Sequence, residues 1–316
     1  MKHGDPFRST AVLVTVSRST LVLAALGLMT TANRADAVIV AGSEVTFNTS
    51  APPPEPGLGW DNVGVLNVGS GVYLGNGWVL TANHVGGGSI ALDSGTYAME
   101  ANSGRRLMYP AVGSQVTTDL YLFRLTTDPG LPWVTLAAQT DPGDLVIMIG
   151  NGLTRGAAIG TTGYALNASK TMAWGLNTID SKVDFRVAGS SDYVKGYSTL
   201  FAPGGLAGSS SESGQATVGD SGGAVFRLNL ANSWDLAGII IGRNGASDGP
   251  VTFGTSRTYI ADLPAYRDQI VQITAVPEPA AGLLAAIGLL AAAGAKAGRW
   301  RRRWGEARRP KAVMHG

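Results

Sequence analysis

The sequence predicts an all-β fold closed by one C-terminal helix. Short apolar runs bounded by Gly, Pro, Asn or Asp are typical of β-strands, and they occur at 64–68, 72–74, 78–81, 120–125, 145–149, 224–228 and 236–241. Asn76-Gly77 lies between two of these runs and predicts a tight hairpin. The segment 262–273 differs, because it has a proline near its start and apolar residues at helical spacing.

The composition excludes several classes of site and partner. The chain has 316 residues and no cysteine, which excludes disulfides, thiolate metal sites and a cysteine nucleophile. Its formal net charge is +2, but residues 38–275 contain 12 basic and 18 acidic side chains. A nucleic-acid-binding surface has no electrostatic basis in this segment, so we expect no nucleic acid partner.

The first 37 residues have the order of a secretory signal peptide. Basic residues precede the apolar run 21–29, and the small-x-small pattern Ala35-Asp-Ala37 follows. We expect signal peptidase to cut after Ala37, which makes 1–37 the signal and 38–275 the exported domain. The alternative is a core helix with an irregular start.

The C-terminal segment, 276–316, predicts a sorting signal that crosses the membrane. Val276-Pro-Glu-Pro279 precedes 16 uncharged residues, 280–295, and then a basic tail. A helix of that length spans about 24 Å, short of the roughly 30 Å hydrocarbon core, and the basic tail favours a cytoplasmic end. The arrangement resembles the PEP-CTERM sorting signal of Gram-negative bacteria, which implies cleavage near the motif by an exosortase.

That resemblance also implies a location. The protein is expected to cross the inner membrane and to contact it transiently through the transmembrane helix 280–295. After C-terminal processing it is expected at the cell surface, in the exopolysaccharide matrix or in the medium. The alternative is an ordinary C-terminal anchor that is never removed.

Two clusters carry the candidate chemistry. His84 is the single histidine of residues 38–275 and directly follows a predicted strand. One histidine without any cysteine makes a catalytic zinc site improbable, so we expect no metal and no other cofactor, and His84 is a candidate acid or base. The second cluster is Gly219-Asp-Ser-Gly-Gly223, whose glycines permit a turn that exposes the Ser221 hydroxyl and frees main-chain N–H groups.

These clusters resemble the motifs of chymotrypsin/trypsin-like serine proteases. Thr81-Ala-Asn-His84 is similar to the family's histidine motif, and Gly219–Gly223 matches its nucleophile motif. Asp119-Leu-Tyr-Leu-Phe-Arg-Leu125 resembles the strand that carries its aspartate. The chain order His, Asp, Ser is also the order found in that family.

The resemblance implies two six-stranded antiparallel β-barrels with a C-terminal helix. It also implies a catalytic triad of His84, Asp119 and Ser221, with Asp93 as the rival for the aspartate. The main-chain N–H groups of Gly219 and Ser221 are then expected to form the oxyanion hole.

Asp220 is a candidate partner for a new N-terminus. In the resembling family the residue before the nucleophile pairs with a buried α-amino group. This pair orders the oxyanion loop, which here is the segment Gly219–Ser221. Here Val38-Ile39 follows the predicted signal cleavage, so secretion itself is expected to generate that terminus. Ile39 matches the first residue of the family's processed N-terminus best, so the predicted cleavage before Val38 lies one residue too early for that match. The alternative is a loop that is ordered without such a pair.

Three residues are candidates for the specificity pocket. By the resemblance, Gln215 lies at the floor of the primary pocket, and because it is neutral we do not expect cleavage after Lys or Arg. Ile241 and Arg243 are expected in the pocket wall, where Arg243 is expected to favour acidic side chains.

The sequence as a whole predicts a secreted serine endopeptidase that cleaves protein or peptide substrates through an acyl-enzyme. Two alternatives remain open from the sequence. One is a catalytically inactive binding or matrix protein of the same fold, and the other is an esterase that uses the same three residues.

Overall fold

The computed structural model describes residues 38–41, 48–52, 55, 57–111, 113–203 and 213–274. The predicted signal peptide at 1–37 and the predicted sorting segment at 276–316 lie outside these residues. The described part of the chain forms eighteen β-strands and, after them, one α-helix. The prediction of an all-β fold with one C-terminal helix is therefore confirmed.

The first half of the chain forms a seven-stranded antiparallel sheet, in the order β6-β5-β2-β3-β4-β8-β7, where the resemblance implied six strands. Its strands are β2 (Val63–Leu66), β3 (Gly69–Gly75), β4 (Trp78–Ala82), β5 (Ile90–Leu92), β6 (Gly95–Tyr97), β7 (Arg105–Met108) and β8 (Thr117–Arg124). Apolar side chains of the central strands are fully buried and form its core, among them Leu66, Leu80, Ile90, Leu122 and Phe123.

The hairpin between β3 and β4 has the predicted turn. Asn76 and Gly77 both have positive φ, at 52° and 77°, which is the backbone that a type I′ turn requires. The sequence could predict this turn because Asn and Gly adopt that conformation at little cost.

The second half of the chain forms a closed six-stranded barrel, in the order β12-β13-β18-β16-β15-β9. Its strands are β9 (Leu145–Gly150), β12 (Ala173–Arg186), β13 (Tyr193–Leu200), β15 (Ala224–Leu228), β16 (Trp234–Arg243) and β18 (Arg257–Asp262). Neighbouring strands are antiparallel all round the barrel. Closure leaves this sheet without exposed edges, and its interior is filled by apolar side chains that include Met148, Val225, Ile240 and Ile260.

The remaining strands form two small sheets beside the barrel. One pairs β1 (Ile39–Val40) with β14 (Gly214–Gln215), and the other has the order β10-β11-β17. The strands of the second are β10 (Leu153–Ile159), β11 (Gly163–Lys170) and β17 (Val251–Thr252). The strand β14 comes shortly before the Gly219–Gly223 turn in sequence, and the Leu153 nitrogen of β10 donates to the Val218 carbonyl over 2.8 Å, so each small sheet is joined to the segment that leads into the turn.

The helix α1 (Leu263–Thr274) connects the two halves of the domain. Leu263, Tyr266 and Ile270 are buried on its inner side. The Tyr266 hydroxyl lies 3.1 Å from the Thr118 hydroxyl of β8 and accepts a hydrogen bond of 2.8 Å from the main-chain nitrogen of Lys195 in β13. The helix therefore holds the strand that carries Asp119 against the barrel.

Candidate active site

His84 and Asp119 form a pair, as the sequence predicts. His84 follows β4, and Asp119 lies on the neighbouring strand β8 with only 1% of its surface exposed. His84 Nδ1 lies 2.6 Å from Asp119 Oδ2, and the main-chain nitrogen of His84 donates to Asp119 Oδ1 over 2.9 Å. Asp93 is exposed in the turn after β5 and does not pair with His84, so the geometry favours Asp119.

This pairing sets the chemistry of the imidazole. The hydrogen bond that His84 donates to Asp119 raises the pKa of His84 above its usual 6.5, while burial of the ring opposes that rise. An ionised carboxylate only accepts hydrogen bonds, so it keeps a proton on Nδ1. Nε2 is then the nitrogen that can accept a proton from another group.

Ser221 lies in a turn that glycine makes possible. Gly219 and Gly222 have φ of 103° and 84°, and a Cβ atom on Gly222 would lie 2.0 Å from the main-chain oxygen of Ser70. The Ser221 hydroxyl donates to the main-chain oxygen of Ile241 over 3.0 Å. Among the hydrogen bonds of the described residues, none joins that hydroxyl to His84.

One cavity lies beside His84 and Asp119 and reaches Ile241 next to Ser221. A space of about 720 Å³ is lined by His84, Asp119 and Ile241, and Ile241 is the residue whose carbonyl holds the Ser221 hydroxyl. Much of its lining is apolar and comes from the barrel, including Val183, Phe185, Val187 and Tyr259. The site thus combines an acid/base pair and a hydroxyl with a space that fits an apolar side chain.

Ser70 is a residue of the site that the sequence did not indicate. Its side chain is fully buried on β3, where its hydroxyl donates to the carbonyl of Gly219 over 3.2 Å and accepts from the main-chain nitrogen of Asn151 over 2.9 Å. Its main-chain nitrogen donates to the Ser221 carbonyl over 2.8 Å. Ser70 therefore fixes both ends of the Gly219–Ser221 segment. The one signal in the sequence is a hydroxyl residue between two glycines at the start of a buried strand.

Asp220 is fully buried beside the first described residue of the domain. Its Oδ2 accepts hydrogen bonds from the main-chain nitrogens of Thr217, over 2.7 Å, and Val38, over 3.3 Å. Burial raises the pKa of Asp220 to about 6, against these hydrogen bonds, which lower it. Gly150 and Gly152 make room for the carboxylate, since a Cβ atom on either would lie 2.5 Å from one of its oxygens. Of the two registers considered from the sequence, Val38 rather than Ile39 faces Asp220.

The three candidate specificity residues take different positions. Ile241 lines the cavity. Gln215 is fully buried, pairs with Ile39 in the β1–β14 sheet and does not line the cavity. Arg243 lines the cavity, but its guanidinium donates to main-chain carbonyls of its own loop, those of Asn244, Ala246, Ser247, Gly249 and Pro250. Its charge is therefore used to hold that loop.

The comparison with protein families shows to which family the chain belongs. Residues 69–239, more than half of the sequence, match the model described as "Trypsin-like peptidase domain". The protein belongs to the trypsin-like peptidase family. The matched segment of this peptidase begins at β3, ends in β16 and contains His84, Asp119 and Ser221.

Solved protease structures are similar to this trypsin-like peptidase at low identity. The active form of the Rv3671c protease from M. tuberculosis is 13% identical, with 72% of this chain and 90% of that chain covered and a TM-score of 0.43. The NS6 protease from murine norovirus 1 is 15% identical, with 67% and 93% covered and a TM-score of 0.40. No curated protein matches the chain.

Two further findings concern the described residues of the peptidase. No helix in that part of the chain is long and apolar enough to cross a membrane, and the predicted helix 280–295 lies outside it. Within the same residues, no group of three or more His, Cys, Asp or Glu side chains is placed to hold a metal ion.

Proposed function

We propose that this trypsin-like peptidase is a serine endopeptidase in which Ser221 is the nucleophile, His84 the general base and Asp119 the residue that orients it. The observation that carries the proposal is the cavity that His84 and Asp119 share with Ile241, whose carbonyl holds the Ser221 hydroxyl. A serine nucleophile is also the choice that the composition supports, because the chain contains no cysteine.

In the proposed reaction, the Ser221 hydroxyl leaves the Ile241 carbonyl and attacks the carbonyl carbon of the scissile bond. His84 Nε2 takes the hydroxyl proton, and Asp119 stabilises the imidazolium that forms. The main-chain N–H groups of Gly219 and Ser221 stabilise the oxyanion, a contribution of ~10²–10³ in rate for one such donor. His84 then returns the proton to the leaving amine, and water hydrolyses the acyl-enzyme by the same route.

The N-terminus has a proposed role in ordering the oxyanion loop. Cleavage of the chain after Ala37 converts the main-chain nitrogen of Val38 into an ammonium group. That nitrogen already lies 3.3 Å from Asp220 Oδ2, so the new charge would pair with the buried carboxylate next to Ser221. Export and activation are then one step, in which signal peptidase is the activating enzyme.

The proposed substrate is a protein or peptide with an apolar residue on the acyl side of the scissile bond. Phe185, Tyr259 and Ile241 give the cavity beside His84 an apolar lining. The two carboxylates that also line it already have cationic partners, Asp119 in His84 and Asp192 in Arg106. We propose that cleavage takes place outside the inner membrane, with the segment 276–316 acting as a PEP-CTERM signal that an exosortase removes.

Labelling with a fluorophosphonate probe tests the nucleophile and the base. The exported domain, starting at Val38, should be labelled at neutral pH, and Ser221→Ala and His84→Ala should each abolish the labelling. Ser94→Ala, which changes an exposed serine in the turn after β5, is the matched control and should label normally. Folded protein that takes no label would instead support the inactive binding protein, and labelled protein that cleaves esters but no peptide in a library would support the esterase.

A further inference from the structure

Lys170 places a positive charge against the oxyanion loop. It is the last residue of β11, and its Nζ donates to the main-chain oxygen of Val68 over 2.7 Å. A Cβ atom on Gly219 would lie only 2.8 Å from the same Nζ. The ammonium group therefore lies in direct contact with the residue whose N–H belongs to the proposed oxyanion hole.

No carboxylate neutralises this charge within the part of the chain that the structure describes. The ion pairs there join His84, Arg106, Lys182, Arg227 and Arg257 to aspartates, and Lys170 is in none of them. Its side chain is exposed, so the ammonium group can reach an anion that approaches from solvent. Because its hydrogen-bond partner is the neutral Val68 carbonyl, the positive charge of Lys170 is available to an anionic ligand.

Two exposed valines lie next to Lys170 and Gly219. Val68, whose carbonyl holds Lys170, is 69% exposed, and Val218, which precedes Gly219, is 38% exposed. A hydrogen bond from the Leu153 nitrogen to the Val218 carbonyl fixes the β10–β11 hairpin to this segment. We call Val68, Lys170 and Val218 the leaving-group face.

The leaving-group face and the cavity are different surfaces. The cavity is lined by His84, Ile241 and residues of the barrel, and none of Val68, Lys170 and Val218 lines it. A peptide that crosses the Ser221 hydroxyl has one part on each side of the scissile bond. If the acyl part occupies the apolar cavity, the part that leaves with the amine crosses the opposite side of the Gly219–Ser221 turn.

We propose that Lys170 selects substrates with an acidic residue one to three positions after the scissile bond. The proposal rests on the proposed peptidase function and adds the chemistry of its leaving-group side. The lysine ammonium would pair with the carboxylate of that residue, and the two valines would contact the stem of its side chain. Because the pair is exposed, it should change the rate modestly and should weaken as salt screens it.

The test uses quenched fluorescent peptides that share one acyl side and carry Glu, Gln or Lys at each of the three positions after the bond. Wild type should prefer Glu over Gln by about three- to fivefold in kcat/KM at low salt. The preference should be lost in Lys170→Gln and should change to Lys over Gln in Lys170→Glu. Lys195→Gln, which removes an exposed lysine of β13 that does not line the cavity, is the control and should keep the wild-type preference.

An aminocoumarin amide of the same acyl peptide separates the possible outcomes, because it has no residue after the scissile bond. On this amide, Lys170→Gln should lose no more activity than it loses on the Gln peptides, and the larger loss should be confined to the Glu peptides. An equal loss on the amide and on every peptide would overturn the proposal and would indicate that the Lys170 charge stabilises the oxyanion instead. Labelled, active wild type without a Glu preference would overturn this proposal alone, whereas protein that takes no fluorophosphonate would overturn the proposed peptidase function first.

Discussion

The main-chain nitrogen of Val38 donates to the buried carboxylate of Asp220 over 3.3 Å, across 182 residues of sequence. Val38 has a φ of 34°, and a β-branched residue is strained at positive φ. This torsion exists only while residue 37 is attached, so cleavage before Val38 removes the strain and adds an ammonium group beside Asp220. Both effects stabilise the folded state of the cleaved chain.

This relationship predicts a pH-dependent difference between two forms of the domain, one starting at Val38 and one that keeps Ala37. In the longer form, burial raises the pKa of Asp220 from 3.8 to about 6. The folded state then holds a proton that the unfolded state releases, so the free energy of unfolding should fall as pH rises from 3.8 to about 6, by about 3 kcal/mol. In the form that starts at Val38 the ammonium stabilises the carboxylate, and this fall should be absent.

Urea unfolding of both forms between pH 4 and pH 7 measures that difference. Asp220→Asn is the control, because it has no carboxylate to titrate and should make the two forms respond alike. Identical pH curves for the two forms with Asp220 intact would contradict the proposed activating role of Val38.

A second prediction concerns the pH dependence of catalysis. His84 must be neutral to act as a base, and the hydrogen bond that it donates to Asp119 raises its pKa above 6.5. We expect kcat/KM to increase with pH, with a midpoint above 6.5. The free energy of unfolding should change in the opposite direction and fall as pH rises. Asp119 stabilises the protonated ring in the folded state, and this stabilisation is lost as pH rises through the folded-state pKa. Asp119→Asn should lower the midpoint and reduce kcat by roughly 10⁴.

The imidazole of His84 can be followed directly by NMR, because it is the single histidine of residues 38–275. Its titration midpoint in wild type should agree with that of kcat/KM. A ring that titrates at or below 6.5 in wild type, or one that Asp119→Asn leaves unchanged, would argue against the pairing as the source of the raised pKa.

A third prediction assigns a positioning role to Ser70. Ser70→Ala removes the hydroxyl that donates to the Gly219 carbonyl and leaves the buried nitrogen of Asn151 without an acceptor. We expect a loss of about 1–3 kcal/mol in stability and a fall in kcat of roughly tenfold or more, with KM unchanged, because the oxyanion donors lose their fixed geometry. Ser198→Ala is the matched control, since Ser198 is also buried but contacts Ser181 and Arg257. A similar fall in kcat in both variants would show that Ser70 acts through stability only.

The fourth prediction concerns Arg243, which the sequence suggested as a selector of acidic side chains. Its guanidinium instead donates to several carbonyls of the loop 244–250. Arg243→Gln should therefore raise KM for all peptides, and Arg243→Lys should not restore it, because a lysine lacks the planar fork of donors. The preference for Glu over Gln before the scissile bond should be small in wild type and unchanged in both variants. A Glu preference that disappears with Arg243 would show that its charge reaches the substrate after all.

The sequence predicts those parts of the fold that depend on local chemistry. The Asn76-Gly77 turn and the helix α1 follow from residues that adopt these conformations by themselves. The predicted all-β fold includes residues 153–200, but the sequence locates no individual strand there, since the exposed sides of β10, β11 and β12 carry polar and small residues that hide the alternation. Their strand conformation comes from pairing with one another and with β9, β17 and β18.

The same distinction holds for the site. His84, Asp119 and Ser221 are recognisable because the proposed chemistry needs those residue types in short motifs. The role of Ser70 depends on a carbonyl 149 residues away, and the direction of the Arg243 side chain depends on how its loop folds. Neither the role of Ser70 nor the direction of the Arg243 side chain can be predicted from the residues next to it in the sequence.

The contacts of α1 affect how the protein is made. Tyr266 comes 148 residues after Thr118, which its hydroxyl contacts, so this contact forms only when the final stretch of the domain has been synthesised. A growing or truncated chain that ends before Leu263 lacks the helix α1. The strand that carries Asp119 then lacks the contact between Thr118 and Tyr266. Synthesis of the chain through α1 is therefore required before the strand that carries Asp119 has all the contacts of the folded domain.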